Sequence, residues 1–432
     1  MAGCTVVDPS AGTARIANVV VEGDTIRSVG EDSAGLRIEC DEMICAPGLV
    51  DLATHLRQPG REDAETVATG TRAAAAGGYT AVCAMPTTEP AMDHAGVVEQ
   101  VLRLAREAGH CDVVPVGAIT KAREGAELAE MGAMHAAGVR AFSDGGRPVA
   151  SAQVMRRALI YAKTWDAILV NHPEDPSLTG GAQMHEGPTS ARLGLRGAPR
   201  EAEEIMVARD LLLAERVGAR IHVPQVSTRR AVELIRDAKA RGVRVTCDVT
   251  PHHLVLDDTA VASYETRYKV TPPLRTADDI AALREGLADG TIDAIASHHA
   301  PHPPDDKDTE WATAPAGTVG LETTLAVVLT ELTDREARPD ERGAATLSLV
   351  EALRLLTTGP AAARQITHHG RPLAAGEPAN LVVIDPGTVW AVDPDALHTR
   401  SRNSAFEGHK VRGRVVHTVL RGKFTVNDGR VT

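Results

Sequence analysis

An alternation of short apolar segments with Ala-rich amphipathic segments, repeated from residue 49 onward, constrains the fold of this chain most. Each apolar segment has the length of a strand, and a polar or glycine-marked loop leads from it to the next helix. Eight strands are predicted, at 49–56, 79–85, 113–119, 139–143, 167–171, 220–226, 243–249 and 292–297. Eight strand–helix units predict an α/β fold, the (β/α)8 TIM barrel.

Strand signals also occur at both ends of the chain, outside these eight units. The first 45 residues show short strand-like segments without a helical period, and strand signals return at 380–384, 414–420 and 423–426. Because the N-terminal segment makes a poor sheet alone, the two ends are predicted to form one small discontinuous β-sandwich domain. The predicted boundaries are 1–47 and 371–432 for this domain and 48–370 for the barrel.

Charge and cysteine usage restrict the partners and the location. The net charge of −12 argues against a nucleic acid or an acidic membrane, so a small molecule or a protein is the expected partner. Six scattered cysteines form no CxxC pair and are expected to be buried free thiols. No basic leader precedes an apolar stretch and no 18-residue apolar run occurs, which predicts a soluble cytoplasmic protein.

The ends of the predicted strands are where a barrel of this kind carries its chemistry. They fall in the motifs Leu56-Arg-Gln-Pro-Gly-Arg-Glu-Asp63, Met85-Pro86, Phe142-Ser-Asp144, Pro251-His-His-Leu254, Lys269-Val-Thr-Pro-Pro-Leu-Arg275, His299-Ala-Pro-His302 and Gly320-Leu-Glu-Thr323. Nearly end to end, the chain resembles dihydroorotase of the amidohydrolase superfamily, in its large bacterial class I form. The resemblance implies reversible cyclisation of N-carbamoyl-aspartate to dihydroorotate by two zinc ions that polarise the amide and supply a hydroxide.

The metal-ligand positions implied by the resemblance are mostly occupied by other residues. His55 and His172 match two of the six positions. The other four, among them both carboxylate positions, hold Ala53, Gly145, Gln225 and His298. Two dications without a carboxylate would leave a large uncompensated charge in a buried site. The prediction is therefore no metal or a single zinc, and not a zinc pair.

The positions that bind the substrate carboxylate in that family match this chain better than the metal-ligand positions do. Arg57 and His302 match the family, whereas Thr87 and Thr271 stand where it has Asn. A planar guanidinium is suited to bidentate carboxylate binding. The predicted substrate-binding residues are Arg57, Thr87, Thr271, Arg275 and His302.

The histidines at the strand ends leave two alternatives open. His55 and His172 are either relics of an old metal site or, together with His298, ligands that converge on one metal with an open fourth position. His298 and His299 are the candidate catalytic acid–base groups, because histidine exchanges protons near neutral pH. His252 and His253 are predicted to serve loop packing, and residues 303–313 are either a solvated loop or a lid.

Two functions are compatible with these residues. The favoured one is a noncatalytic dihydroorotase homologue that lacks the usual activity and assembles with aspartate transcarbamoylase, the partner expected by resemblance. A homo-oligomer, most simply a dimer, is expected on the same ground. The alternative is a diverged enzyme that opens or closes a cyclic amide or imide on a small carboxylated substrate held by Arg57 and His302, metal-free or with one metal.

Overall fold

The chain folds as an α/β protein around two eight-stranded sheets. The structure is a computed structural model and describes residues 1–32, 35–333 and 347–432. The strands of the N-terminal half are β1 (Cys4–Asp8), β2 (Thr13–Glu22), β3 (Thr25–Gly30), β4 (Ile44–Pro47), β5 (Leu49–Thr54), β6 (Tyr79–Ala84), β7 (Asp112–Gly117), β8 (Ala141–Ser143) and β9 (Ile168–Val170). They are followed by β10 (Met184–His185), β11 (Gly197–Ala198), β12 (Arg220–Val223), β13 (Val245–Val249), β14 (Ala294–Ile295), β15 (Leu381–Ala391), β16 (Lys410–Leu420), β17 (Lys423–Asn427) and β18 (Arg430–Val431).

Helices alternate with the central strands, and several begin at a side-chain cap. The hydroxyls of Thr66, Ser151, Thr228 and Ser348 each accept a hydrogen bond from the backbone N–H three residues later. The helices are α1 (Val67–Ala76), α2 (Ala95–Ala108), α3 (Met131–Ala136), α4 (Ala152–Lys163), α5 (Pro176–Thr179), α6 (Pro188–Leu193), α7 (Glu201–Val217), α8 (Arg229–Ala240), α9 (Pro251–Val255), α10 (Ala277–Ala288), α11 (Pro304–Lys307), α12 (Thr324–Glu331), α13 (Leu349–Leu356) and α14 (Thr358–Ala363).

The central sheet is curled and all parallel, in the order β5-β6-β7-β8-β9-β12-β13-β14. A parallel bridge between Thr54 and His299 connects its first strand to the segment after its last strand. The eight predicted strands all lie in this sheet, which is consistent with the predicted barrel. The eighth is shorter than predicted and ends at Ile295. Beyond it, the N–H of Ser297 donates to the Asp51 carboxylate at 2.7 Å and not to a strand carbonyl.

The second sheet joins the two ends of the chain. Its order is β18-β17-β16-β15-β4-β1-β2-β3, and β4 pairs with β1 on one side and with β15 on the other. The structure therefore pairs the N-terminal with the C-terminal strands, as expected. The sandwich arrangement and the boundaries 1–47, 48–370 and 371–432 stay predictions.

Small side chains fill the interior of the curled sheet. Leu52, Ala53, Cys83, Val116 and Ala294 pack together there, each almost fully buried. All six cysteines are buried and free, as predicted from their spacing. In the part of the chain that the structure describes, no helix has the length and apolar character needed to cross a membrane.

Gly77 connects α1 to β6 at a place where the backbone of another segment approaches closely. A Cβ atom at Gly77 would collide with the carbonyl oxygen of Leu321. We expect Gly77→Ala to lower the free energy of unfolding by about 1–3 kcal/mol through overpacking, as measured by urea denaturation. Gly30→Ala is the control, because a Cβ there meets no atom within 4 Å. Equal stability of the two variants would contradict the expectation.

Candidate active site

A cavity of about 440 Å³ lies at the carboxyl ends of the parallel strands, where a barrel of this kind holds its active site. Many of the positions singled out in the sequence line it. These are His55, Arg57, Thr87, Gly145, Gln225, Thr271, His298 and His302. The strand-end positions are therefore brought together, as the sequence predicts.

Several residues of this lining have left-handed backbone conformations, and four of them closely follow a strand of the central sheet. Arg57, Gly145, Gln225 and His298 follow the first, fourth, sixth and eighth strands, with φ values of 58°, 52°, 53° and 48°. For a residue other than glycine this conformation costs on the order of 1–3 kcal/mol and persists only where the surrounding structure enforces it. Such residues cluster at functional sites, which supports this cavity as the active site.

Two histidines face each other across the cavity floor. The ring centroids of His55 and His298 are 5.6 Å apart, and His55 Nδ1 lies 2.6 Å from the hydroxyl of Thr87 in a hydrogen bond. Burial lowers the pKa of His298 to about 4. Burial, with Arg57 and His298 nearby, holds the pKa of His55 well below its usual value. Both rings are therefore neutral at pH 7 and can accept a proton.

His172 does not join these two histidines. It is absent from the residues that line the cavity, and its Nε2 lies 3.2 Å from the Glu174 carboxylate, which also accepts a hydrogen bond from Thr271. Burial raises the pKa of Glu174, but the hydrogen bonds from His172 and its neighbours lower it to about 2. In the described ranges, no group of three or more His, Cys, Asp or Glu side chains is arranged to hold a metal ion. The described residues therefore lend no support to the alternative in which three histidines converge on one metal, and the ligand set stays a prediction.

Arg275 and His299 lie outside the cavity lining, which differs from the sequence-based prediction. The buried Arg275 guanidinium forms an ion pair with the Glu203 carboxylate at 3.6 Å. His299 Nε2 lies 3.3 Å from the Glu65 carboxylate, and its Nδ1 accepts a hydrogen bond from the N–H of Gly320. Arg275 therefore has no contact with the cavity, and both ring nitrogens of His299 are already engaged.

The predicted carboxylate-binding pair is present. Nη2 of Arg57 lies 3.5 Å from Nε2 of His302, and Nε of Arg57 donates to the carbonyl of Pro301 at 3.2 Å. Burial and the nearby cations Arg61 and Arg123 lower the pKa of Arg57 to about 10. The guanidinium remains charged at pH 7 and lies at the cavity wall.

The sequence-based prediction missed several lining residues. Arg123, Arg147 and Glu89 were not singled out, because no expected metal ligand drew attention to the loops that carry them. His252, predicted to serve loop packing, lines the cavity. Its neighbour His253 does have a structural role, since both ring nitrogens hydrogen-bond to Thr250 and to the carbonyl of Pro272.

Residues 303–313 are anchored to the body of the site. Asp306 pairs with Arg61 at 2.8 Å, and the buried Lys307 ammonium donates to the carbonyls of Thr266 and Pro315 at 2.9 and 2.8 Å. Pro315 lines the cavity. The segment is therefore more than a solvated loop, because it supports one wall of the site.

The buried Lys307 is expected to make the free energy of unfolding depend on pH. Burial and the nearby Lys269 lower the pKa of Lys307 to about 7, against 10.5 for an ordinary lysine. Between these two values the unfolded chain binds more protons than the folded one, so stability rises with pH. From pH 7 to pH 9 we expect a gain of about 2 kcal/mol in the free energy of unfolding by urea titration. Lys307→Met should remove this gain, whereas Lys423→Met should keep it; an identical pH profile in all three proteins would contradict the assignment.

Comparison with known proteins identifies the family. Residues 42–231 match the family model described as "Dihydro-orotase-like". A protein of Streptomyces coelicolor named dihydroorotase is 53% identical over 420 residues, which cover 96% of each chain. The chain belongs to the dihydroorotase family. A second member, the dihydroorotase of Leifsonia xyli subsp. xyli, is 48% identical over 96% of this chain and 94% of its own.

Solved structures support the fold of this dihydroorotase family member. An L-hydantoinase (dihydropyrimidinase) from Arthrobacter aurescens superposes with a TM-score of 0.86 at 24% identity, over 100% of this chain and 96% of its own. A D-hydantoinase (dihydropyrimidinase) from Thermus sp. gives a TM-score of 0.83 at 23% identity, over the same shares of the two chains. The family predicted from the strand-end motifs is confirmed.

The noncatalytic role favoured by the sequence is wrong. Family members 47–53% identical to this chain over nearly its full length carry the name of an enzyme, dihydroorotase, and the similar structures are hydantoinases. The prediction counted only the substituted metal-ligand positions. It gave these positions more weight than Arg57, His302 and His298, which line the same cavity.

Proposed function

We propose that this dihydroorotase family member is a cyclic amidohydrolase, which opens or closes a cyclic amide or imide bearing a carboxylate. The Arg57–His302 pair at the wall of the 440 Å³ cavity carries this proposal. No carboxylate hydrogen-bonds to Arg57 within the described residues, so its charge is free to hold an anion. The names of the relatives support the same class of reaction.

We further propose that the reaction proceeds without the zinc pair of the family. Ala53, Gly145 and Gln225 stand at implied ligand positions and offer no imidazole or carboxylate. A Cβ atom at Gly145 would lie 2.7 Å from Cγ2 of Thr87, so the space that a bridging aspartate needs is already filled. The donor set therefore does not fit two zinc ions. A single zinc is the weaker alternative, because His172 faces Glu174.

The side chains of this chain supply the elements of a hydrolysis. Arg57 and His302 hold the carboxylate of the ring, and the neutral His298 takes a proton from the attacking water. The water oxygen bonds to the carbonyl carbon, the ring C–N bond breaks, and the same proton passes to the ring nitrogen. The new carboxylic acid loses its proton to solvent, and ring closure is the reverse.

Turnover of defined ring compounds tests the proposal. The purified protein is incubated with dihydroorotate and, as an uncharged comparison, with dihydrouracil; ring opening is followed by mass spectrometry, with chelator or with added zinc. We expect dihydroorotate to be opened at least about tenfold faster, since a charge-assisted bond to Arg57 is worth about 1.5–3 kcal/mol. Zinc content of the active protein separates the metal-free from the single-zinc form. No ring opening under any condition would overturn the proposal.

Three further proposals rest on the family resemblance. They are association with aspartate transcarbamoylase, assembly into a homo-oligomer, and a cytoplasmic location. Size-exclusion chromatography of the chain alone and mixed with the transcarbamoylase of its own source tests the first two. Separate elution of the two proteins would contradict association with aspartate transcarbamoylase.

A further inference from the structure

Arg123 is a cavity residue that forms no ion pair or hydrogen bond with a carboxylate of the described residues, and Asp144 and Glu89 act on it only at longer range. It lies in the turn that follows β7 and is half-buried. Its Nη1 makes only long contacts to the carbonyls of Asp144 and Gly145, at 3.5 and 3.4 Å. Its buried Nε has no hydrogen-bond partner. A guanidinium in this state has unused donors that an anion in the cavity would satisfy.

The backbone around Arg123 is strained. Ala122 and Arg123 have φ values of 48° and 58°, two successive left-handed residues neither of which is glycine. The Asp93 carboxylate accepts from the N–H of Ala122 at 2.8 Å, and the Thr120 hydroxyl accepts from the N–H of Gly125 at 2.9 Å. These bonds hold a conformation that costs on the order of 1–3 kcal/mol per residue. The turn therefore brings Arg123 to the cavity at an energetic cost.

Gly145 lies next to this guanidinium. A Cβ atom at Gly145 would be in ordinary van der Waals contact with Nη1 of Arg123, at 3.7 Å. The resemblance implies a carboxylate at position 145, and such a side chain would pair with Arg123 and neutralise it. Without that side chain, a fixed positive charge borders the part of the cavity next to His55 and Thr87.

The charges of the lining favour a ligand with two negative charges. Four arginines line the cavity, at 57, 61, 123 and 147, against one acid, Glu89. Among the residues that the structure describes, Arg61 is the one of these four with an ion-pair partner, and it pairs with Asp63 and Asp306. One carboxylate on Arg57 would leave Arg123 unbalanced, whereas a second anionic group would balance it.

We infer that Arg123 forms a second anion subsite. It binds the oxygen of the scissile carbonyl and the oxygen of the attacking water as these two atoms become a carboxylate. The inference rests on the proposed function and assigns a binding residue to it. On ring opening, the carbonyl carbon gains the water oxygen and loses the ring nitrogen, and the product carries two carboxylates. Arg57 with His302 holds the first, and Arg123 holds the second.

Binding measurements test the subsite independently of turnover. N-carbamoyl-aspartate carries both carboxylates, and N-carbamoyl-alanine lacks the second. By isothermal titration we expect the wild-type protein to bind the dicarboxylate at least about tenfold more tightly, because a hydrogen bond to a charged group is worth about that factor. Arg123→Met should reduce the preference to about twofold or less without changing the affinity for N-carbamoyl-alanine. Arg123→Lys should keep part of it. Arg156→Met, which removes an exposed arginine of α4, should keep all of it.

The outcomes separate this inference from the proposed function. Equal binding of the two ligands by the wild-type protein, no binding of either, or an unchanged preference in Arg123→Met would each overturn the subsite. Ring opening of dihydroorotate alongside equal binding would leave the proposed function standing alone. A dicarboxylate preference that depends on Arg123 in a protein that opens no ring would support the subsite and refute the function. Circular dichroism of each variant verifies that it is folded.

Discussion

His298→Ala is expected to lower the rate of ring opening by a factor of about 10² to 10⁴, the range that a general base contributes. His298 lines the cavity, is neutral at pH 7 and lies 5.6 Å from His55 between ring centroids. Steady-state kinetics with dihydroorotate measures the effect, which should fall on kcat more than on KM, since the carboxylate remains held by Arg57 and His302.

Chemical rescue distinguishes a lost base from a disturbed fold. The Ala variant leaves space in a cavity of about 440 Å³, so imidazole added to the solution should restore part of the rate. His94→Ala removes an exposed histidine that makes no side-chain cap to α2 and should leave the rate unchanged. A His298→Ala protein with the wild-type rate would show that another group takes the proton.

The strands could be predicted from local pattern, and the family resemblance pointed to Arg57 and His302 at the ends of two of them. Each apolar run is a strand of the curled sheet, and the strands of such a sheet end at one rim. Arg57 and His302, which follow the first and eighth strands, therefore had to meet at that rim. Their nitrogens are 3.5 Å apart.

The roles of adjacent residues were harder to predict. His298 and His299 were treated as one acid–base pair, but the left-handed backbone of His298, with φ of 48°, separates the directions of the two side chains. His298 lines the cavity, and His299 contacts Glu65 outside it. Arg123 was missed for another reason. Its position depends on two left-handed residues in a turn, and no sequence pattern signals them when neither is glycine.

Gly145→Asp is expected to inactivate the protein even though it restores a carboxylate that the family resemblance implies. The new carboxylate would lie beside Nη1 of Arg123 and neutralise it. We expect about a hundredfold slower opening of dihydroorotate and loss of the preference for the dicarboxylate ligand, since a paired guanidinium has no charge left for a second anion. The substitution also strains the chain, because φ is 52° and Cγ2 of Thr87 lies 2.7 Å from the new Cβ.

Two companion variants separate the charge from the steric effect. Gly145→Ala introduces the same Cβ without the carboxylate, so both single variants should lose about 1–3 kcal/mol of stability by urea denaturation while only Gly145→Asp loses the dicarboxylate preference. Adding Thr87→Ser removes Cγ2 but keeps the hydroxyl that bonds to His55. The double variant Thr87→Ser/Gly145→Asp should therefore regain stability and remain inactive. Elemental analysis measures bound zinc in that double variant. Recovery of ring opening together with bound zinc would show that the reaction depends on a metal and that Arg123 does not take over the role of that metal.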